Sequence, residues 1–301
     1  MNKVIIITGP TGTGKTKLSI EVAKKYHTEI INGDAYQVYK NMDILTAKVT
    51  NEEKQNIPHH LFDIKEPTEE YSVAEYQQNV RKLISDFENR NLIPLIVGGS
   101  GLYLDSVIYD YDFSKIGRNN ETEIKYRNLT NEELHKVLED LNKEAALKIH
   151  MNNRKRVLRA IELAEDNAIV TKFNNRLLYD PLIIFLNEDR DKLYNALNKR
   201  VDKMIEEGLL DEVKELSLMN LSKTAQKAIG YKEFIAYFNG EKLLDECVDE
   251  VKKNTRHYAK RQITWFKRDS EINWIYIDEY NSFEEIYSYA KAVIERGLLY
   301  G

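Results

Sequence analysis

Short apolar runs rich in β-branched residues alternate along the chain with longer segments whose apolar residues recur every three or four positions. The short runs predict five strands, at residues 4–8, 29–31, 92–97, 182–186 and 274–277. The longer segments predict amphipathic helices, the first of them from Lys15 to about Tyr26. This alternation is typical of an α/β fold in which helices flank a parallel sheet.

Two segments depart from that alternation. Residues 113–179 show a charge-rich texture without a strand pattern, and we predict a helical insertion domain there, within a core domain made of 1–112 and 180–301. The helical patterns of the insertion lie at residues 131–141 and 143–149. From Glu188 to Trp274 the pattern is almost wholly helical. Predicted helix breaks lie at Gly208, Gly230 and Gly240.

Composition sets limits on the class of protein. The chain of 301 residues is long enough for one large domain and a smaller one, and its net charge of −5 argues against a uniformly basic surface. A single cysteine, Cys247, excludes an internal disulfide and a multi-cysteine zinc site, as expected in a reducing compartment. The first apolar run is interrupted by Gly9 and Pro10, too early for a signal peptide or a membrane span. We therefore expect a cytoplasmic protein without a membrane partner.

The most specific motif lies between the first predicted strand and the first predicted helix. It matches the pattern GxxxxGK(S/T) and consists of Gly9, Pro10, Thr11, Gly12, Thr13, Gly14, Lys15 and Thr16. In this pattern backbone N–H groups surround an anion, the lysine reaches its phosphates and the last hydroxyl is a Mg²⁺ ligand. The sequence therefore predicts a P-loop NTPase-like core and a phosphate compound, although the motif does not identify that compound.

Two charged residues are candidates for the same site. Asp34 ends the predicted second strand, at the sheet edge where ligands bind in open α/β folds. It could be a Mg²⁺ ligand, a general base or a cap of the next turn, and the residues alone leave these three open. Arg200 lies at the edge of the apolar stripe of its helix, which by itself indicates a side chain that extends along the protein surface.

Basic residues are concentrated in two segments. Residues 252–268 contain seven lysines and arginines and no acidic residue, and helical periodicity places these charges on one side. A second cluster consists of Arg154, Lys155, Arg156 and Arg159. Either segment alone could be an ordinary solvated helix face. Together they favour binding to a phosphate backbone by a locally basic surface of an acidic protein.

With the GxxxxGKT loop, further motifs resemble in order those of the bacterial tRNA dimethylallyltransferases, also called tRNA isopentenyltransferases. These motifs lie at residues 34–39, 42–48, 58–61, 97–103, 156–162, 198–204, 228–233 and 260–266. The resemblance covers nearly the whole chain. It implies transfer of a dimethylallyl group from dimethylallyl diphosphate to N6 of adenosine 37, next to the tRNA anticodon.

The resemblance also implies roles for individual residues. Lys15, together with Mg²⁺ bound to Thr16, neutralises the diphosphate that leaves. Asp34 is the general base toward the adenine amine. Thr11 helps to position the substrate, and Arg200 binds the diphosphate, for which a guanidinium is well suited.

The implied tRNA contacts come from several segments of the chain, and the implied partner is the anticodon stem-loop, bound by a monomer. The residues are Asp34, Ala35, Tyr36, Gln37, Ser100, Lys155, Arg156, Val157, Leu158, Arg159, Lys227, Tyr231, Lys232, Arg256, Lys260 and Arg261. Gln37 is expected to face the adenine.

Some positions depart from the family pattern. Asn32 and Ala35 stand where serine is usual, and Leu45 replaces a common glycine. Lysines 227 and 232 occupy positions where arginine is frequent. Loss of the two hydroxyls removes possible hydrogen bonds near Asp34, and the sequence leaves the effect on the position of that carboxylate open.

Three other functions share part of these features. An isopentenyltransferase that acts on free adenine nucleotides would need neither the helical insertion nor both basic segments. A P-loop kinase usually has a carboxylate after a later strand, where this chain has Gly98, Gly99 and Ser100. A non-catalytic RNA-binding module would leave the P-loop and Asp34 without a role. The sequence therefore favours tRNA prenyl transfer.

Overall fold

A computed structural model describes residues 2–111, 113, 120–165 and 172–300. The strands are β1 (Lys3–Thr8), β2 (Ile30–Asn32), β3 (His59–His60), β4 (Leu95–Val97), β5 (Tyr109–Tyr111), β6 (Lys172–Leu177), β7 (Asp180–Asn187) and β8 (Asn273–Tyr276). The helices are α1 (Lys15–Tyr26), α2 (Asn51–Lys54), α3 (Val73–Asn89), α4 (Gly101–Ile108), α5 (Asn120–Lys125), α6 (Asn131–Leu141), α7 (Lys143–Lys148), α8 (Arg154–Glu165), α9 (Arg190–Glu206), α10 (Leu209–Ser217), α11 (Tyr231–Phe238), α12 (Leu244–Phe266) and α13 (Phe283–Tyr300). Short 3₁₀ helices lie at Ala225–Lys227 and Ile277–Glu279.

The central feature is a six-stranded sheet with the strand order β3-β2-β4-β1-β7-β8, in which every neighbouring pair is parallel. At its middle Ile6 of β1 lies beside Ile96 of β4 and Ile183 of β7. The four apolar residues of β1 from Val4 to Ile7 are fully buried, as expected for a strand covered on both faces. The predicted α/β fold with helices around a parallel sheet is confirmed.

Sequence patterns located the main elements but not the short ones. All five predicted strands are present, and α1 has the predicted bounds. β2 ends at Asn32, so Asp34 belongs to the following turn and not to the strand. β3 was missed because a strand of two residues has no detectable alternation. β6 lies in a segment predicted to be helical, and it pairs with β5.

The chain divides into two compact units, Met1–Ile108 with Leu177–Gly301, and Tyr109–Arg176. The second unit begins and ends a few residues earlier than the predicted insertion at 113–179. Its core is a small cluster of buried side chains, Leu134, Leu138, Ala146, Val157 and Ile161. In the described part of the chain no helix combines the length and the apolar character needed to cross a membrane.

Close backbone contacts at the carboxyl edge of the sheet require glycine. A Cβ atom on Gly98, after β4, would overlap the carbonyl group of Gly33, after β2. The Gly33 N–H donates to the Val97 carbonyl oxygen at 2.8 Å. Gly9, after β1, has φ 139°, and its Cβ would overlap the carbonyl oxygen of Leu186 in β7. These contacts join the turns after β2 and β4 to each other and bring the turn after β1 against β7 at the same edge of the sheet.

The contact between Gly98 and Gly33 predicts a large effect of a single methyl group. Gly98→Ala should lower the free energy of unfolding by about 2 kcal/mol or more beyond Gly240→Ala, because backbone atoms cannot move aside. Gly240 is the matched control, since its φ of 73° strains any side chain but open space surrounds it. Urea denaturation measures both variants, and equal losses would contradict the proposed contact.

Candidate active site

A cavity of about 280 Å³ opens at the carboxyl edge of the sheet, within the first unit. Its walls come from the loops after β1, β2 and β4, and from α9 and α12. Eight of the predicted site residues line it: Thr11, Lys15, Asp34, Tyr36, Gln37, Arg200, Lys227 and Arg261. Residues that are distant in sequence are thus brought to one site, as the predicted roles require.

The loop after β1 contains two glycines in a left-handed conformation and is open on one side. Gly12 and Gly14 both have φ 84°, a left-handed conformation that glycine adopts without strain. The Thr13 hydroxyl donates to the Pro10 carbonyl oxygen at 2.9 Å, and the Lys15 amine donates to the same oxygen at 2.7 Å. Beside Gly12 no atom lies within 4 Å of the Cβ position, so this side of the loop is open to a ligand.

Lys15, Asp34 and Arg200 form the charged part of the cavity. Each retains some exposed area because it faces the cavity, yet protein surrounds the three charged ends. Burial, and to a lesser extent the charge of Arg200, lowers the pKa of Lys15 to about 7, although Asp34 opposes this. Burial also lowers the pKa of the Arg200 guanidinium. The site therefore holds two cationic groups whose charged forms an anion would stabilise.

The Asp34 carboxylate is oriented by its own loop. Its Oδ1 accepts the Tyr36 N–H at 2.8 Å, so it does cap the turn, one of the roles left open by the sequence. Burial raises the pKa of Asp34 above its ordinary value, while the N–H groups of Tyr36 and Gln37 and the charge of Lys15 lower it. A carboxylate with a raised pKa beside a cavity is a candidate proton acceptor.

Hydrogen bonds from two side chains support this loop. Asn32 is fully buried, and its Oδ1 accepts the Asp34 N–H at 2.9 Å while its amide donates to the Leu61 carbonyl oxygen at 3.0 Å. The Ser100 hydroxyl accepts the Ala35 N–H at 3.2 Å. The Asn32 amide and the Ser100 hydroxyl thus supply hydrogen bonds to the loop that carries Asp34.

Another part of the cavity wall is a loop held by Glu212 of α10. The Glu212 carboxylate accepts the N–H groups of Asp43 at 3.0 Å and of Ile44 and Leu45 at 2.8 Å. The Gln37 amide donates to the carbonyl oxygens of Thr46 and Ala47 at 3.1 and 3.2 Å. Glu212 could not be predicted from the sequence, because one acid on an amphipathic helix gives no signal of a contact with a distant loop.

Most of the cavity lining beside the charged groups is apolar. It includes Leu45, Val49, Phe62, Val201, Met204, Ile229 and Val251. Leu45, which replaces a common family glycine, is 6% exposed and packs close to Gly230. An anion site and an apolar surface thus share one cavity, which suits a ligand with a charged head and a hydrocarbon tail.

The basic residues of α12 do not all face solvent. Arg261 and Lys260 are exposed, and the Arg261 guanidinium lies 5.6 Å from the ring centre of Tyr258. Arg256 is half-buried and donates to Asn198 of α9 at 2.5 Å, and Lys252 forms an ion pair with Asp202 at 2.6 Å. α12 therefore uses part of its charge to pack against α9.

The remaining predicted contact residues lie at varied depths. Lys227 and Lys232 are exposed, and Tyr231 is half-buried. In α8 of the second unit Lys155 and Arg156 are exposed, Leu158 is half-buried, and Arg159 forms an ion pair with Glu162 at 2.7 Å.

Two residues of α8 contribute to the structure of the second unit itself. Val157 is fully buried in the core of that unit, so its side chain does not reach the surface. Arg154 donates to the carbonyl oxygens of Leu129 at 2.7 Å and Tyr126 at 2.8 Å, which fixes the start of α8. The cations that this helix exposes to solvent are therefore Lys155 and Arg156.

Known proteins with similar sequences and structures show the family. The model of the IPP transferase family matches residues 37–269. A tRNA dimethylallyltransferase from Caldanaerobacter subterraneus subsp. tengcongensis is 42% identical over 298 residues, covering 94% of this chain and 95% of that protein.

Two solved structures are similar over almost the whole chain. A tRNA delta(2)-isopentenylpyrophosphate transferase from Staphylococcus epidermidis is 40% identical with a TM-score of 0.74, covering 98% of this chain and 99% of that one. A eukaryotic dimethylallyltransferase, described as acting on tRNA, is 27% identical with a TM-score of 0.83, covering 98% of this chain and 80% of that one. Given the family match over residues 37–269 and this similarity, the chain belongs to the IPP transferase family.

Proposed function

We propose that the protein transfers the dimethylallyl group of dimethylallyl diphosphate to N6 of adenosine 37 in tRNA and releases diphosphate. The observation that carries this proposal is the single cavity that joins two cationic side chains, a carboxylate and an apolar wall. Its relatives are named tRNA dimethylallyltransferases, and one structural neighbour is described as a dimethylallyltransferase acting on tRNA. We expect the active form to be a monomer.

The cationic end of the cavity suits the diphosphate. The open side of the P-loop at Gly12 leaves room for phosphate oxygens, and Lys15 and Arg200 face the same space. As the C–O bond of the donor breaks, negative charge grows on the leaving diphosphate, and fixed cations stabilise that charge more than they stabilise the donor. The apolar wall would hold the five-carbon group.

The residues at the start of α1 fit a Mg²⁺ ion. Thr16 is exposed there, next to Lys15, and offers one hydroxyl oxygen. Mg²⁺ commonly takes one or two protein oxygens and completes its octahedral shell with phosphate oxygens and water. When bound, the ion would neutralise charge on the diphosphate.

Asp34 has the position and the environment of a general base. An aryl amine is a weak nucleophile, and it must lose a proton as its nitrogen bonds to carbon. The Asp34 carboxylate faces the cavity, is oriented by the Tyr36 N–H and has a raised pKa, so it can take that proton. The exposed cations of α12 and α8 would bind the phosphate backbone of the RNA.

The direct test supplies both possible acceptors. The protein, Mg²⁺ and dimethylallyl diphosphate are incubated with either a tRNA that carries adenosine at positions 36 to 38 or with AMP. Mass spectrometry of the acceptor should show one added five-carbon unit on the tRNA. Modification of AMP alone would instead support a transferase that acts on free nucleotides.

Replacement of Asp34, the proposed general base, should reduce the rate of transfer and leave tRNA binding almost unchanged. Asp34→Asn keeps an oxygen that can accept the Tyr36 N–H but cannot take a proton, so kcat should fall by about 100-fold or more. The Kd for tRNA should change by less than about threefold. Single-turnover transfer and filter binding measure the two quantities, and turnover close to wild type would remove Asp34 from this role.

The lowered pKa of Lys15 predicts a proton taken up when an anion binds. At pH 8 the amine is mostly neutral in the free protein, because its pKa is about 7, and a bound diphosphate raises that pKa again. Calorimetry of inorganic pyrophosphate binding in buffers of different ionisation enthalpy should show this uptake. Lys15→Arg is the matched control. Arginine is charged before and after binding, so this variant should take up fewer protons when pyrophosphate binds.

A surface cation should contribute to the salt dependence of RNA binding. Arg261→Ala should weaken tRNA binding and reduce the slope of log K against log salt by about 1. Arg296→Ala removes another exposed charge, from α13, which does not line the cavity, and should leave the slope unchanged. Binding isotherms at several salt concentrations give this slope for each variant. Equal slopes for both variants would exclude Arg261 as a phosphate contact.

A further inference from the structure

One buried side-chain amide that lines the cavity has an oxygen atom without a hydrogen-bond donor among the described residues. Gln262 of α12 is 6% exposed and lines the cavity. Its Nε2 donates to the Gly99 carbonyl oxygen at 2.9 Å. Among the residues that the structure describes, no donor lies within hydrogen-bond distance of its Oε1. A buried acceptor without a donor is costly, which points to a ligand that supplies one.

The orientation of this amide is determined by Gly99. If the amide were rotated by half a turn, its oxygen would face the Gly99 carbonyl oxygen, and two acceptors would repel each other. A Cβ atom at position 99 would overlap Nε2, so the amide can occupy this position only when residue 99 is glycine. Nε2 is therefore held by Gly99, and Oε1 is the atom left to accept a donor from a ligand.

Tyr258 identifies the part of the cavity that lies next to the α12 face carrying Gln262. It precedes Gln262 by four residues, so both side chains lie on one face of the helix. The Tyr258 hydroxyl lies 3.5 Å from the Ser100 hydroxyl, which accepts the Ala35 N–H. Burial raises the pKa of Tyr258, and the charge of Asp34 raises it further. The face that carries Gln262 thus packs beside the Asp34 loop.

The chemistry of Oε1 selects among possible ligands. An acceptor oxygen cannot bind the oxygens of a diphosphate, which are acceptors as well. The Lys15 amine is not the donor either, because no described donor group lies within hydrogen-bond distance of Oε1. An exocyclic amine of adenine carries two N–H donors, and Asp34 needs only one of them.

We propose that Gln262 Oε1 accepts one N6–H of the acceptor adenine while Asp34 accepts the other. This inference rests on the proposed function and adds a substrate-contacting residue to it. Two acceptors on either side of N6 hold the adenine ring in a fixed plane. One face of N6 then points toward C1 of the dimethylallyl group, which raises the fraction of bound complexes that can react.

The bonds and the proton balance in this arrangement. The bond between N6 and C1 of the dimethylallyl group forms while the bond from C1 to the diphosphate oxygen breaks. The electron pair of the broken bond leaves with the diphosphate, and one N6 proton passes to Asp34. The second hydrogen stays on N6 and keeps its hydrogen bond to Gln262 Oε1, so this contact persists in the product.

The experiment compares RNA acceptors that differ only in the amine. Anticodon stem-loops with adenosine or with purine, which lacks the amine, at position 37 are titrated against wild type and Gln262→Met in the presence of pyrophosphate. Methionine has similar length but cannot accept in the same way. The wild-type preference for adenosine should shrink by about five- to tenfold in the variant, with purine affinity nearly unchanged. An equal loss for both RNAs would overturn the inference.

Two further measurements distinguish a lost hydrogen bond from a disrupted site. Gly99→Ala, which displaces the Gln262 amide, should reduce the adenosine preference as Gln262→Met does. Pyrophosphate affinity should stay at the wild-type value in Gln262→Met, whereas a general loss of structure would lower it. If wild type fails to transfer a dimethylallyl group to the adenosine stem-loop, the proposed function fails. If wild type transfers and Gln262→Met keeps the full preference, only the role of Gln262 fails.

Discussion

The contact between the backbones of Gly33 and Gly98 is the constraint on which the site depends. Two chain segments can approach this closely only where neither residue has a side chain. The approach brings the loops that carry Asp34 and Ser100 together, and the Ser100 hydroxyl then binds the Ala35 N–H. The two turns after β2 and β4, which would otherwise be independent, become one connected surface beside the P-loop.

Side chains from distant helices complete that surface. α10 supplies the Glu212 carboxylate to the backbone of one cavity loop, and α12 supplies the Gln262 amide to Gly99. Neither loop is part of a helix or strand, so its backbone N–H and carbonyl groups need partners from elsewhere. The cavity is therefore shaped by hydrogen bonds between elements, and its dimensions depend on the packing of the helices against the sheet.

Sequence predicted well what is local and less well what is not. The P-loop, the five strands and α1 follow from patterns of a few residues, and the family resemblance correctly indicated the fold. The Glu212 and Gln262 contacts join residues more than 160 positions apart, and neither residue belongs to a pattern that specifies its partner. Helical periodicity put Arg256 on a cationic face, but it could not show that α9 packs there.

The burial of Lys15 has a consequence for the choice of ligand. A permanently charged cradle would attract any small anion, including the inorganic phosphate that surrounds an enzyme in solution. Because the Lys15 pKa is about 7, only part of the amine is charged at neutral pH when no anion is bound. A bound anion stabilises the charged form. An anion bound at several points stabilises the charged lysine more than a weakly held anion does, so the burial of Lys15 favours such an anion over simple ones.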